Sequence, residues 1–185
     1  MVDLTLSWDL FIVVFFAIVM SYSFIIGQHQ SMKIIIATYI AIIATLGIGN
    51  VLARFIGDSQ AVFTSFGLPF DITLVSLAKI FLFAICILIF VIRSGIELSV
   101  DKDAGMVFRV IYTGLFGFST AGLMVSTVLT YVSGGNILDT SILTNSTIIS
   151  MAQGSTLMQL MILNQDIWFT LPAFLIIVTG LMHND

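Results

Sequence analysis

Four stretches of this chain are almost free of charge over about the 20 residues that an α-helix needs to cross a roughly 30 Å hydrocarbon layer. They run from about Trp8 to Ile26, from about Met32 to Phe55, from Ile72 to Ile92 and from about Met106 to Val132. Their only charged residues are Asp9, Lys33, Arg54, Lys79 and Arg109, and all but Lys79 stand near an end. Lipid offers no water to a free peptide group, so each stretch must satisfy its own backbone as a helix. Composition agrees: 59% of the 185 residues are hydrophobic and 9% are charged, against roughly 25% charged in a soluble domain. Mean hydropathy is +1.16. The expected fold is all-α, one domain over residues 1–185: a polytopic membrane bundle of four transmembrane helices in a lipid bilayer. A net charge of −4 excludes a nucleic-acid binder built on a basic face. The lone Cys86 excludes an intramolecular disulfide and a cysteine-rich zinc site.

Basic residues set the expected orientation. Lys33 follows the first stretch, while Arg93, Lys102 and Arg109 follow the third; the other side has only Arg54. The first and third links are therefore expected on the cytoplasmic side of a bacterial inner membrane, with the N-terminus outside. The start of the chain has no basic region before its apolar run, and bulky Tyr22-Ser23-Phe24 stands where small residues would mark cleavage. A retained first span is expected rather than a signal peptide.

Three regions need separate readings. Ile56 to Phe70 contains Gly57, Gly67 and Pro69 and is expected in the outer interface. The segment 133–165 opens with Ser133-Gly134-Gly135-Asn136 and is rich in uncharged polar residues; Ile148, Met151, Ala152, Met158 and Ile162 recur near helical spacing. An outer amphipathic helix is expected there, its polar face turned to an envelope protein partner. The apolar tail 167–182 is short for a span and holds Pro172. It either crosses or docks obliquely on the bundle, and the absence of a following basic residue favours docking.

Small residues mark where helices can approach. Ala37, Ala41, Thr45, Gly49 and Ala53 repeat every four positions in the second span. The fourth span has Thr113, Gly117 and Ala121, with Gly122, Ser126 and Thr130 beside them. Association in lipid relies on such close approach. The expected use is packing of spans two and four against each other, with a homo-oligomer seam as the alternative.

Lys79 is the one charge deep in a span, eight positions after Asp71 and about 12 Å into the bilayer at 1.5 Å per residue. Asp71, Asp9 and Asn50 are expected in the same half of the membrane. Either Lys79 snorkels to one of these carboxylates, or it serves an ion path or an anionic ligand. No nucleophile elbow, phosphate-binding glycine loop or metal-ligand spacing occurs. No catalytic group, cofactor or metal is therefore expected.

Ile25-Ile26-Gly27 lead from the first span into the second, and Arg109 leads into Gly114-Leu115-Phe116-Gly117 and Gly122. In these features, over about Trp8 to Tyr131, the chain resembles the colicin V production protein family of bacterial inner membranes. The family's basic turn is here Gln28-His29-Gln30, with Lys33 its one charge, and Phe108 stands where the family favours Asp. The resemblance implies a non-enzymatic accessory or scaffold role in toxin production or export and envelope maintenance. The alternative expectation is a small ion channel or transporter subunit organised around Lys79.

Overall fold

The computed structural model describes residues 8–56, 74–93, 106–134 and 155–182, and among these every regular element is an α-helix. In chain order they are α1 (Trp8–Ile56), α2 (Leu74–Arg93), α3 (Met106–Val132), α4 (Thr156–Leu163) and α5 (Gln165–Met182). Three of them are long and apolar enough to cross a membrane, or four if α4 and α5, bent by 65° at Asn164, count as one broken span. Large apolar side chains such as Val13, Ile18, Ile25, Phe81, Leu88 and Ile92 cover the outer surface. Apolar patches of that extent fit contact with lipid rather than water.

α1 is 49 residues long, about 73 Å if straight, far beyond one bilayer crossing. It is not straight. Gly27 has φ 79° and ψ 176°, a conformation essentially confined to glycine. Ser23 and Ser31, about 12 Å apart on a continuous helix, have hydroxyls 2.6 Å apart. The chain therefore doubles back at Gly27 into two arms. The first arm runs antiparallel to α3, with Ile12 packed near Val125 and Leu129, and Ser23 against Gly117. The second runs parallel to α3, with Ile35 against Phe116 and Ala41 against Leu123 and Tyr131. The expected link between spans one and two is thus a single residue wide.

α3 is the centre of the bundle: nearly every residue from Phe116 to Val132 is buried, whereas α2 buries only Ser76 and Phe83 among its described side chains. α2 returns antiparallel to the second arm, with Lys79 on Gly49 and Phe83 beside Ala41 and Ile42. The described part of the third span begins at Leu74, so Asp71 lies outside the described residues.

Of the outer amphipathic helix expected over 133–165, the described part is the eight-residue α4, with its apolar face turned inward. Met158, Met161 and Ile162 of α4 enter the core with Ile12, Val125 and Trp168, because a 65° bend lets α4 lie across the end of the bundle before α5 descends. The remainder of that segment, 135–154, lies outside the described residues. The tail, in turn, lies lengthwise rather than obliquely. Gln165 reaches Thr130 and Trp168 covers Gly122, while Leu175 and Ile176 pack on the cluster of Met32, Ile35 and Phe116.

Pro172 lies inside α5, and a contact from α1 meets the turn before it. Proline removes one helical donor and crowds the carbonyls of the preceding turn, and in lipid those carbonyls need another partner. The Tyr39 hydroxyl donates to the Phe169 carbonyl, with the Ala173 backbone beside the same oxygen. One phenol thus sits at the opened turn and ties the second arm to α5.

Candidate functional site

The polar groups of the bundle gather toward the end that holds Asp9, Lys79, Thr130 and Ser155. Asp9, in the first turn of α1, reaches the start of α4. Its Oδ1 accepts from Ser155 Oγ at 2.5 Å and from the Leu157 amide at 3.0 Å. Ser155 is the N-cap of α4, and its Oγ accepts from the Met158 amide at 3.1 Å. Two of the four amides that a helix start leaves unpaired are met this way, and the carboxylate also opposes the positive end of the helix dipole. Asp9 is therefore committed to α4, and not to Lys79 as the sequence reading allowed.

This arrangement predicts a local rather than a global loss. Asp9→Ala removes both acceptor bonds, and a lost cap of this kind costs about 1–2 kcal/mol. Hydrogen exchange at 156–163 should accelerate by roughly an order of magnitude, while α1 and α3 keep their protection. Unchanged exchange in α4 would show that the carboxylate does not hold it.

Lys79 lies along the second arm. A Cβ at Gly49 would stand 2.7 Å from its Cε and 3.0 Å from its Cγ, so the glycine makes room for the aliphatic stem. Among the described residues no carboxylate lies within salt-bridge distance of it, and Asn50 is exposed on the neighbouring face. One turn deeper on the same stripe, the buried Thr45 hydroxyl faces the buried Tyr131 phenol. Lys79, Thr45 and Tyr131 thus share the interface of the second arm, α2 and α3, which is the part of the site that sequence reasoning missed. Its one signal was Thr45, the polar member of the four-residue repeat.

The small-residue stripes are used, but not as expected. Ala37, Ala41, Thr45 and Gly49 are all buried, with Ala41 in the cluster of Phe83, Leu123 and Tyr131; the Ala53 side chain lies outside those described. The α3 stripes turn elsewhere. Ser23 donates to the Thr113 carbonyl at 3.2 Å, and a Cβ at Gly117 would lie 2.7 Å from that of Ser23, so this face takes the first arm. Gly122, Ser126 and Thr130 take α5: Trp168 fills the gap over Gly122, and Gln165 Nε2 donates to Thr130 Oγ1 at 2.7 Å. Ala121 is wholly buried, as is Ser126. Ser126 Oγ and Trp168 Nε1 have no hydrogen-bond partner. All of this is contact within one chain.

Among the described residues the arrangement offers the Lys79 cation within an apolar helix, a facing pair of buried hydroxyls one turn further along the second arm, and a carboxylate already occupied as a cap. Among the described residues no three His, Cys, Asp or Glu side chains converge as metal ligands would. Comparison with protein-family models, with curated proteins and with solved structures finds no match to this chain.

Proposed function

We propose that this chain is a non-enzymatic membrane scaffold of the colicin V production type, whose segment 135–154 engages an envelope partner. Five segments cross the bilayer in this reading: the two arms of α1, α2, α3, and α4–α5 as one broken span. The observation that carries it is the anchoring of both ends of 135–154 on the bundle. Ser133 Oγ donates to the Thr130 carbonyl at 2.7 Å and the Gly134 amide to that of Tyr131 at 3.1 Å. At the far end Ser155 is held by Asp9. A connection rich in Ser, Thr and Asn, with Asp139 its one charge, and with both flanking residues held on the bundle, is suited to recognition.

Charge supports the orientation. Lys33, Arg93 and Arg109 gather toward the Gly27 end, whereas Asp9, Arg54 and Asp166 stand at the other. The Gly27 end is accordingly cytoplasmic, and 135–154 faces outward from an inner membrane. The test replaces 137–153 by a Gly/Ser linker of equal length in cells lacking the native chain. The linker form should insert at normal abundance and fail to restore envelope integrity, and full restoration would overturn the proposal.

A second reading has its own observation. Lys79 has no carboxylate within reach among the described residues and shares an interface with the buried Thr45 and Tyr131 hydroxyls, polar groups suited to line an ion path. Lys79→Met separates the two. Reconstituted protein with an ion flux that this variant abolishes supports a transporter subunit; full complementation by the variant supports the scaffold.

A further inference from the structure

A cavity of about 260 Å³ lies between the two arms of α1, α2 and α3, toward the Gly27 end. Tyr22, Ile26, Ile34, Ile87, Val91 and Met124 are among its walls. Ser23, Ser31 and Thr120 also line it, but their hydroxyls are already engaged: Ser23 with Ser31 and with the Thr113 carbonyl, Ser31 with the Gly27 carbonyl at 2.9 Å, and Thr120 with the Phe116 carbonyl at 2.6 Å. Water needs two to four polar partners to settle in a cavity, and the serine and threonine hydroxyls here are spent within the chain. An apolar cavity of about 150 Å³ already holds a benzene molecule, so the space here suits a length of hydrocarbon. Tyr22 and Leu88 stand at its mouth, 50% and 59% exposed, on the apolar outer surface.

Among the described residues near the mouth the charged side chains are basic. Ser23 bonds to Thr113 across antiparallel helices, so Gly27, one turn beyond Ser23, is level with Arg109, one turn before Thr113. Arg93 follows Val91 by two residues at the end of α2. Both arginines are exposed. Among the described residues of this end, 27–33, 91–93 and 107–112, there is no carboxylate. Basic groups beside an apolar cleft at the cytoplasmic interface match an anionic headgroup joined to an acyl chain.

We infer that this cleft binds one anionic phospholipid, with an acyl chain in the cavity and the phosphate held by Arg109 and Arg93. The site rests on the spanning arrangement proposed above and is independent of the partner of 135–154. A chain that inserts in that arrangement yet retains no lipid therefore refutes the site alone.

The full chain, purified in mild detergent with equal amounts of phosphatidylglycerol and phosphatidylcholine of the same acyl composition, is examined by native mass spectrometry. One phosphatidylglycerol should be retained in preference to phosphatidylcholine by about tenfold or more, the scale that two basic side chains supply. Arg93→Gln with Arg109→Gln should retain lipid and lose the preference, since both side chains are exposed and carry no packing. Val91→Trp fills the cavity and Leu88→Trp blocks its mouth; each should lower retention of both lipids about tenfold. Equal retention of the two lipids by the native chain, retention of neither, or undiminished binding in both tryptophan variants overturns the inference. So does a dimer that Leu88→Trp dissociates, because a second copy would then cover the mouth.

Discussion

Gly122→Ala is expected to destabilise the bundle by about 3 kcal/mol, between the cost of overpacking a core and that of losing a buried tryptophan. The added Cβ would lie 1.9 Å from Trp168 Cε3, 2.3 Å from Cζ3 and 2.8 Å from Cδ2. Those atoms belong to a rigid fused ring, so no flexible end can swing aside. The ring is 7% exposed and is wedged between Phe16 and Phe118, at centroid distances of 5.9 and 5.5 Å. Two responses remain. α5 moves off α3 and gives up the Gln165–Thr130 bond, or the indole leaves its slot and opens a void against both phenylalanines. Thermal unfolding in micelles reads the loss. Trp168→Leu placed in the Gly122→Ala chain should recover part of it, because residues in direct contact do not contribute independently. A Gly122→Ala chain as stable as the native one would mean that α5 does not lie on this face of α3.

The same pair of residues shows what could be read in advance. Small residues at 122, 126 and 130 state that something approaches α3 closely, but they do not state what. A matching stripe on the second span was the natural partner, and the indole of a segment far downstream was not. Apolar length was legible because lipid leaves the backbone one choice. The place of Lys79 inside an apolar helix was legible from counting residues. The contact beside Pro172 was not legible, because the Tyr39 phenol that meets the Phe169 carbonyl lies 130 positions away in sequence. Nothing near Pro172 encodes that phenol. Asp9 likewise read as a counter-ion for Lys79, since its role as a cap depends on α4 folding back over the first turn of α1.

Gly27 tests whether α1 reverses as described, and the expected result depends on which residue replaces it. A residue with a Cβ at φ 79°, ψ 176° is strained by about 1–3 kcal/mol. The unstrained alternative is a continuous helix of about 73 Å, which would push one apolar arm out of the bilayer. That penalty far exceeds the strain, so Gly27→Val should keep the inserted topology and lose stability, by about 2 kcal/mol, in a distorted turn. Ser23→Cys with Ser31→Cys, in a chain with Cys86→Ser, reports the turn directly. The pair should oxidise readily when Gly27 is kept and severalfold more slowly once Gly27→Val is added. Asparagine decides the mechanism. It commonly replaces glycine in left-handed helical turns, where ψ is near +47°, but ψ here is extended, in a region where only glycine is at ease. Gly27→Asn should therefore behave like Gly27→Val. If asparagine restores both cross-linking and stability, the turn is an ordinary left-handed one and the antiparallel register of the two arms must shift.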